Sequence, residues 1–270
     1  PENMYLFSKV CQEVGLPDGV INVIYGRGSV IGHALAGNPK VGMVSLTGSV
    51  AAGQQIMLAA APNITKVSLE LGGKAPAIVL KDADLDLAVK SIIDSRVINT
   101  GQVCNNAERV YVHKSVKDDF MQKLIAGFKA VKTGDPSKIA DLDMGPMIEK
   151  KALETVLGKV DNAVKQGCGL ICGGHRIGDK GYFIEPTILD GAKQNMDIIQ
   201  QETFGPVLPV VEFDTDDEVI AMANDCEYGL TSSIYTKDLD TSFKFMRELK
   251  FGETYVNREN FEAIQGFHAG

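Results

Sequence analysis

The spacing of apolar positions changes several times along the chain, and each change marks an element. Residues 3–14 follow a helical period, with Met4, Leu6, Phe7, Val10, Cys11 and Val14 apolar, and Gly15-Leu16-Pro17-Asp18-Gly19 stops that helix. Val20 to Tyr25 reads as a short β-rich run that ends in Gly26-Arg27-Gly28, and Val30 to Ala36 as a second helix. Val41 to Leu46 is an apolar strand leading into Thr47-Gly48-Ser49, a third helix continues through Ala61, and Lys66 to Leu71 is a third strand. Continuously apolar strands alternating with helices predict a parallel sheet covered by helices.

The pattern then restarts. Ala77 to Leu80 predicts a strand, and Asp82-Ala83-Asp84 opens a long helix through Ile98. A strand at Val110 to His113, helices near 116–132 and 149–166, and strands at about 169–172, 183–189 and 207–213 follow. Asp216 to Asn224 is helical, Ser232 to Tyr235 a strand, Ser242 to Leu249 helical, and Thr254 to Val256 a last strand. The fold class is α/β, in two units. The expected division is 1–72, 73–256 and a closing segment 257–270.

Composition narrows the function classes. A chain of 270 residues with 44% hydrophobic content can bury a real core. The net charge of -8 argues against a nucleic-acid or anionic-membrane partner, and no apolar run reaches spanning length. The five cysteines are odd in number and irregular in spacing, which favours a reducing cytoplasm over a secreted disulfide framework. Cys168, Cys172 and His175 match no familiar zinc spacing, so no metal site is expected.

Two short stretches carry chemistry. Glu70-Leu71-Gly72-Gly73-Lys74 sets a carboxylate at a strand end among glycines, and Thr100-Gly101-Gln102-Val103-Cys104 sets a thiol in a glycine-containing turn with Asn105 and Asn106 behind it. A nucleophilic sulfur and a carboxylate base suffice to form an acyl-enzyme and hydrolyse it. Each alone has a plainer reading, a small buried hydrophobe for the cysteine and an ion-paired surface group for the glutamate. In the first unit, Gly48, Ser49 and Gly53 lie where a strand enters a helix, the geometry that receives a phosphate, although a serine N-cap is by itself structural. Gly26 ends the first expected strand, and His33 sits on the helix after it.

Four motifs in order, Leu46-Thr47-Gly48-Ser49, Glu70-Leu71-Gly72-Gly73-Lys74, Gly101-Gln102-Val103-Cys104 and Glu202-Thr203-Phe204-Gly205-Pro206-Val207, make the chain resemble an aldehyde dehydrogenase over essentially its whole length. The resemblance implies part of an atypical Rossmann NAD domain followed by an α/β catalytic domain. It implies Cys104 as nucleophile, with its backbone N–H among the oxyanion donors, and Glu70 as general base. Gly48 and Ser49 would contact the NAD pyrophosphate, with Gly53, Gly26 and His33 as further cofactor candidates. Glu202 would hold the nicotinamide ribose, and Phe204 would lie beside the ring. A glutamate at position 70 favours hydrolysis of the thioester over transfer to coenzyme A.

The stretch from Asn257 to Gly270 resembles the subgroup acting on lactaldehyde and glycolaldehyde. Asn105, Glu262 and His268 are the candidate contacts to such a short 2-hydroxyaldehyde, though polar residues there also suit a solvated or interface surface. Against the family, the chain lacks roughly the first two fifths and a short tail, so an internal piece of a homo-oligomeric (dimeric or tetrameric) enzyme is expected, one that alone folds poorly or binds NAD weakly. Broader or semialdehyde specificity, a cysteine hydrolase without nicotinamide, and a purely structural piece remain as rival readings.

Overall fold

The computed structural model describes residues 2–261. They fall into two compact units that divide between Leu71 and Gly72. The first contains α1 (Glu2–Glu13), α2 (Gly28–Ala36), β1 (Met43–Thr47), α3 (Val50–Ala60) and β2 (Lys66–Glu70). β1 and β2 pair in parallel with Thr47 opposite Glu70. A small core of Ala36, Ile56 and Ala59 joins α2 and α3 to the inward residues of this pair.

The expected strand at Val20 to Tyr25 does not form. Among the described residues this unit's sheet consists of β1 and β2 alone, so the segment has no neighbour to complete a ladder. Val20 is 61% exposed and Ile24 57%. Its composition favours a strand, but β-propensity reports packing against neighbours that are lacking here.

The second unit runs β3 (Ala75–Val79), α4 (Leu85–Val97), β4 (Ala107–His113), α5 (Lys117–Ala130), α6 (Lys150–Lys165), β5 (Gly169–Cys172), β6 (Thr187–Asp190), α7 (Asp197–Gln200), β7 (Val207–Phe213), α8 (Asp216–Asn224), β8 (Thr231–Tyr235), α9 (Leu239–Glu248) and β9 (Glu253–Val256). Its strands form one sheet in the order β5-β6-β7-β4-β3-β8-β9. All neighbours are parallel except the edge pair β5–β6. Alternation along the strands sends Ala77, Val79, Val110 and Val112 to a core shared with α4 and α5. Ile78, Tyr111 and Val211 go to the opposite core, shared with α6, α8 and α9. The strands are apolar on both faces because both faces are covered.

Local signals set the helix starts. Asp84 caps α4 by accepting from Asp86 and Leu87, and Thr215 with Glu218 forms a full capping box on α8. α9 begins three residues earlier than its apolar pattern, because Asp238 caps it. The strand expected from 183 begins at Thr187, since Ile184 instead bridges back to Arg176.

Candidate active site

In the first unit the ends of β1 and β2 bring two candidates together. The Gly48 N–H donates to the Glu70 carbonyl at 2.9 Å, which sets the Gly48-Ser49 turn beside the glutamate. Ser49 has extended backbone and caps α3, its hydroxyl accepting from the Ala52 N–H at 3.2 Å. The Val50 and Ala51 N–H groups have no acceptor within the helix, so the helix mouth can receive an anion. At Gly48 an added Cβ would meet nothing closer than 3.7 Å. A side chain there would make only ordinary van der Waals contact with Leu46 and Ala52, so no internal contact demands glycine.

The other glycines of this unit have internal reasons. A Cβ on Gly53 would stand 2.8 Å from Leu71, so Gly53 serves helix–strand packing, and a Cβ on Gly26 would press on Ile31 at 3.0 Å. His33 is exposed on α2.

In the second unit three loops converge. Cys104 lies half-buried in the turn between α4 and β4. That turn is entered through Asn99, Thr100 and Gly101, all with left-handed backbone at φ 47, 59 and 73°. Two of the three are not glycine, and such strain persists where the surroundings over-determine it. Asn99 and Gln102 close the bend on each other, the Gln102 amide donating to the Asn99 carbonyl at 2.9 Å and the Asn99 amide to the Gln102 carbonyl at 3.0 Å. On the far side, the Asn105 carbonyl accepts from the Thr231 hydroxyl at 2.8 Å.

The glycine pair of Glu70-Leu71-Gly72-Gly73-Lys74 faces this turn and the loop before β7. A Cβ on Gly73 would lie 1.9 Å from the Cys104 carbonyl oxygen, and one on Gly72 would lie 2.8 Å from the Glu202 carboxylate. The Gly73 N–H donates to Glu202 Oε1 at 2.8 Å. Only hydrogen fits at the Gly73 Cα, while a side chain at Gly72 would displace the Glu202 carboxylate, so the Cys104 backbone and the Glu202 carboxylate both rest on one dipeptide. Burial pushes the Glu202 carboxyl above the usual carboxylate range despite the Gly73 N–H. Phe204 is 42% exposed and left-handed at φ 54°, an unusual state for a bulky aromatic residue.

Beneath these loops lie charges that sequence reasoning missed. Lys74, Arg96 and Glu108 are all buried and form one ion-paired group. A signal for them existed: Lys74 and the Glu108-Arg109 pair interrupt runs that otherwise read as fully apolar strands. The structure thus gathers Cys104, Asn105, Glu202 and Phe204 in one unit, and Glu70, Gly48 and Ser49 in the other. Glu262 and His268 lie outside the described residues. Among those described, no group of residues is arranged to hold a metal ion, and no helix is long and apolar enough to cross a membrane.

Comparison with known proteins bears on the whole chain. The family model described as the aldehyde dehydrogenase family matches residues 1–270. Lactaldehyde dehydrogenase of Escherichia coli K12 is 59% identical over 100% of this chain and 56% of its own length. Its crystal structure superimposes with a TM-score of 0.98. A 3,6-anhydro-alpha-L-galactose dehydrogenase of Vibrio is 45% identical over 97% of this chain and 55% of its own length. A betaine aldehyde dehydrogenase of Staphylococcus aureus, solved in complex with NAD+, is 37% identical over 96% of this chain and 52% of that one, with a TM-score of 0.92. The chain spans about half the length of these relatives.

Proposed function

The chain belongs to the aldehyde dehydrogenase family, and on that premise we propose that the whole protein oxidises a short 2-hydroxyaldehyde, lactaldehyde or glycolaldehyde, to its carboxylic acid with NAD. The observation that carries this reading is the convergence on Gly72-Gly73, where a half-buried cysteine and a carboxylate of raised pKa are held by one dipeptide. Similarity to lactaldehyde dehydrogenase over the full chain supports the substrate class.

The chemistry assigned to this chain's residues is as follows. The Cys104 thiolate adds to the aldehyde carbonyl, forming a carbon–sulfur bond and an oxyanion. NAD, when bound, supplies the acceptor for the hydride that leaves this carbon. A thioester then remains on Cys104. Glu70 takes a proton from water, the hydroxide attacks the thioester, and the carboxylic acid leaves as the thiolate is restored.

The residues present fit such a cofactor. Gly48 carries no side chain at the mouth of α3, whose first N–H groups suit a pyrophosphate. Glu202 offers a carboxylate for ribose hydroxyls, and Phe204 an exposed ring. Asn105 is assigned to the substrate oxygen. The protein's partners on this reading are the aldehyde and further copies of itself, and its compartment the cytoplasm.

In the full-length protein, Cys104→Ala is expected to abolish oxidation. Glu70→Gln should give a burst of NADH followed by turnover slowed about 10²–10⁴-fold, the usual span for losing a general base. Rapid-mixing absorbance at the NADH band reads both. Normal steady-state rates in both variants would sink the mechanism, and equal kcat/KM for lactaldehyde, glycolaldehyde and a simple alkanal would sink the substrate class.

A further inference from the structure

The chemistry proposed above uses none of the three charged side chains beneath the Cys104 turn, yet their arrangement is specific. Lys74 Nζ lies 2.7 Å from Glu108 Oε2 and Arg96 Nη1 3.1 Å from Glu108 Oε1, with side-chain exposure of 1% or less throughout. Removing three charges from water is costly, and apolar side chains of similar volume usually serve stability as well or better. A reason beyond stability is therefore sought in what else each group holds.

Every further bond of the group goes to a loop of the candidate site. Arg96 bridges the two ends of the cysteine turn, donating to the Gly101 carbonyl at 2.6 Å and the Ala107 carbonyl at 2.7 Å. Its neighbour Ser95 adds a bond from the Ala107 N–H at 2.9 Å. Glu108 reaches the other loop, accepting from the Thr203 and Phe204 N–H groups, each at 3.0 Å. Lys74 donates to the Thr203 hydroxyl at 3.2 Å. The left-handed residues Asn99, Thr100 and Gly101 on one side and Phe204 on the other are the segments that need such restraint. Gly101 packs so tightly that a Cβ would lie 2.4 Å from the Gly205 backbone, so the two loops are also in direct contact.

We propose that Arg96, Glu108 and Lys74 are positioning residues that lock the Cys104 turn to the Glu202-Thr203-Phe204 loop, so that the thiol and the cofactor-side carboxylate and ring keep one register. Glu108 is the pivot, since its two oxygens take bonds from both sides. It touches neither substrate nor cofactor, being 1% exposed. This inference rests on the reading of Cys104 as nucleophile and of the 202–204 loop as cofactor-holding.

The test uses the full-length protein as wild type, Glu108→Gln, Arg96→Lys, Thr203→Val and Cys104→Ala. Three quantities are measured without turnover: the rate of Cys104 alkylation by iodoacetamide, read by peptide mass; the dissociation constant of NAD, read by calorimetry; and the thermal midpoint. In Glu108→Gln both the alkylation rate and the NAD dissociation constant should shift by about threefold or more, as expected for groups coupled through one network. Arg96→Lys keeps the charge but cannot bridge two carbonyls, so it should move chiefly the alkylation rate. Thr203→Val loses only the bond from Lys74 and should move chiefly NAD binding. A lowered thermal midpoint with both other readouts unchanged would mean that the network is only structural, and a shift in one readout alone in Glu108→Gln would overturn the coupling. Should Glu108→Gln not fold, unchanged alkylation in Arg96→Lys and unchanged NAD binding in Thr203→Val overturn it. Cys104→Ala separates the two levels: if it still oxidises aldehyde, the nucleophile assignment has failed whatever Glu108→Gln does.

Discussion

Glu202 holds a carboxylate that the fold does not fully satisfy. One oxygen takes the Gly73 N–H, while burial raises its pKa and Glu108 nearby adds repulsion against the pull of Lys74 and Lys159. A raised pKa means that the folded state holds this proton more tightly than the unfolded chain. The associated stability is fully present below the ordinary glutamate value of 4.5 and is lost as pH rises through the raised one. Glu202→Gln removes that dependence. Its unfolding midpoint in urea should therefore match or exceed the wild type at neutral pH, and the advantage should fade as the pH is lowered toward 4.5. Binding should respond in the opposite sense. Loss of a charge-assisted bond to a ribose hydroxyl, worth about 1.5–3 kcal/mol, predicts NAD affinity weaker by about 10–100-fold. A variant both less stable and unchanged in NAD affinity would show that Glu202 is a structural ion.

Turns carry the site at the next scale up, and their glycines divide into two kinds. Gly73 is glycine because Cys104's carbonyl oxygen occupies the place of a side chain, whereas Gly48 has no internal neighbour that forbids one. Gly73→Ala must shift backbone, since carbonyl oxygens cannot swing aside as a flexible side chain does. A loss of about 1–3 kcal/mol in unfolding free energy is expected, with altered Cys104 alkylation. Gly48→Ala should leave unfolding within about 0.5 kcal/mol, as surface changes do, while weakening NAD binding by blocking close approach. Equal stability loss in the two variants would contradict this division.

The same turns mark what sequence could supply. Asp84 and Thr215 act within three residues of themselves, so their caps are visible in the local pattern. The strand-end positions of Glu70 and Ser49 follow from where the apolar runs stop. The bond from Gly73 to Glu202, by contrast, has no trace in local pattern, because 129 residues separate the two. The Lys74–Glu108–Arg96 group left only a faint trace, charges interrupting apolar runs, because burial is what makes those charges informative and burial is a property of the assembled sheet. Val20 to Tyr25 failed the other way, as a segment with strand chemistry and no partner strand.

Across the whole chain, the two units differ in how much apolar surface each removes from water. The second encloses two cores on opposite faces of a seven-stranded sheet, with residues such as Ile78, Val110, Phe120 and Phe245 fully buried. The first has the Ala36, Ile56 and Ala59 cluster over two strands, while Val14, Val30, Leu58 and Ile64 stand 65–89% exposed. Local opening costs least where few apolar contacts must break. In the 270-residue chain, amide hydrogen exchange should therefore find β1 and β2 exchanging orders of magnitude faster than β3 and β4. Each lost 1.4 kcal/mol of local stability speeds exchange about tenfold. A two-stranded pair is marginal by itself, so the difference should persist at neutral pH without denaturant. Limited proteolysis should cut before Gly72 and spare the seven-stranded sheet. Equal protection of Val67 and Val110 would mean that the first unit draws stability from contacts beyond its own small core. The expectation that the chain folds poorly alone would then fail for that unit, and Ser49 and Glu70 would be held as firmly as Cys104.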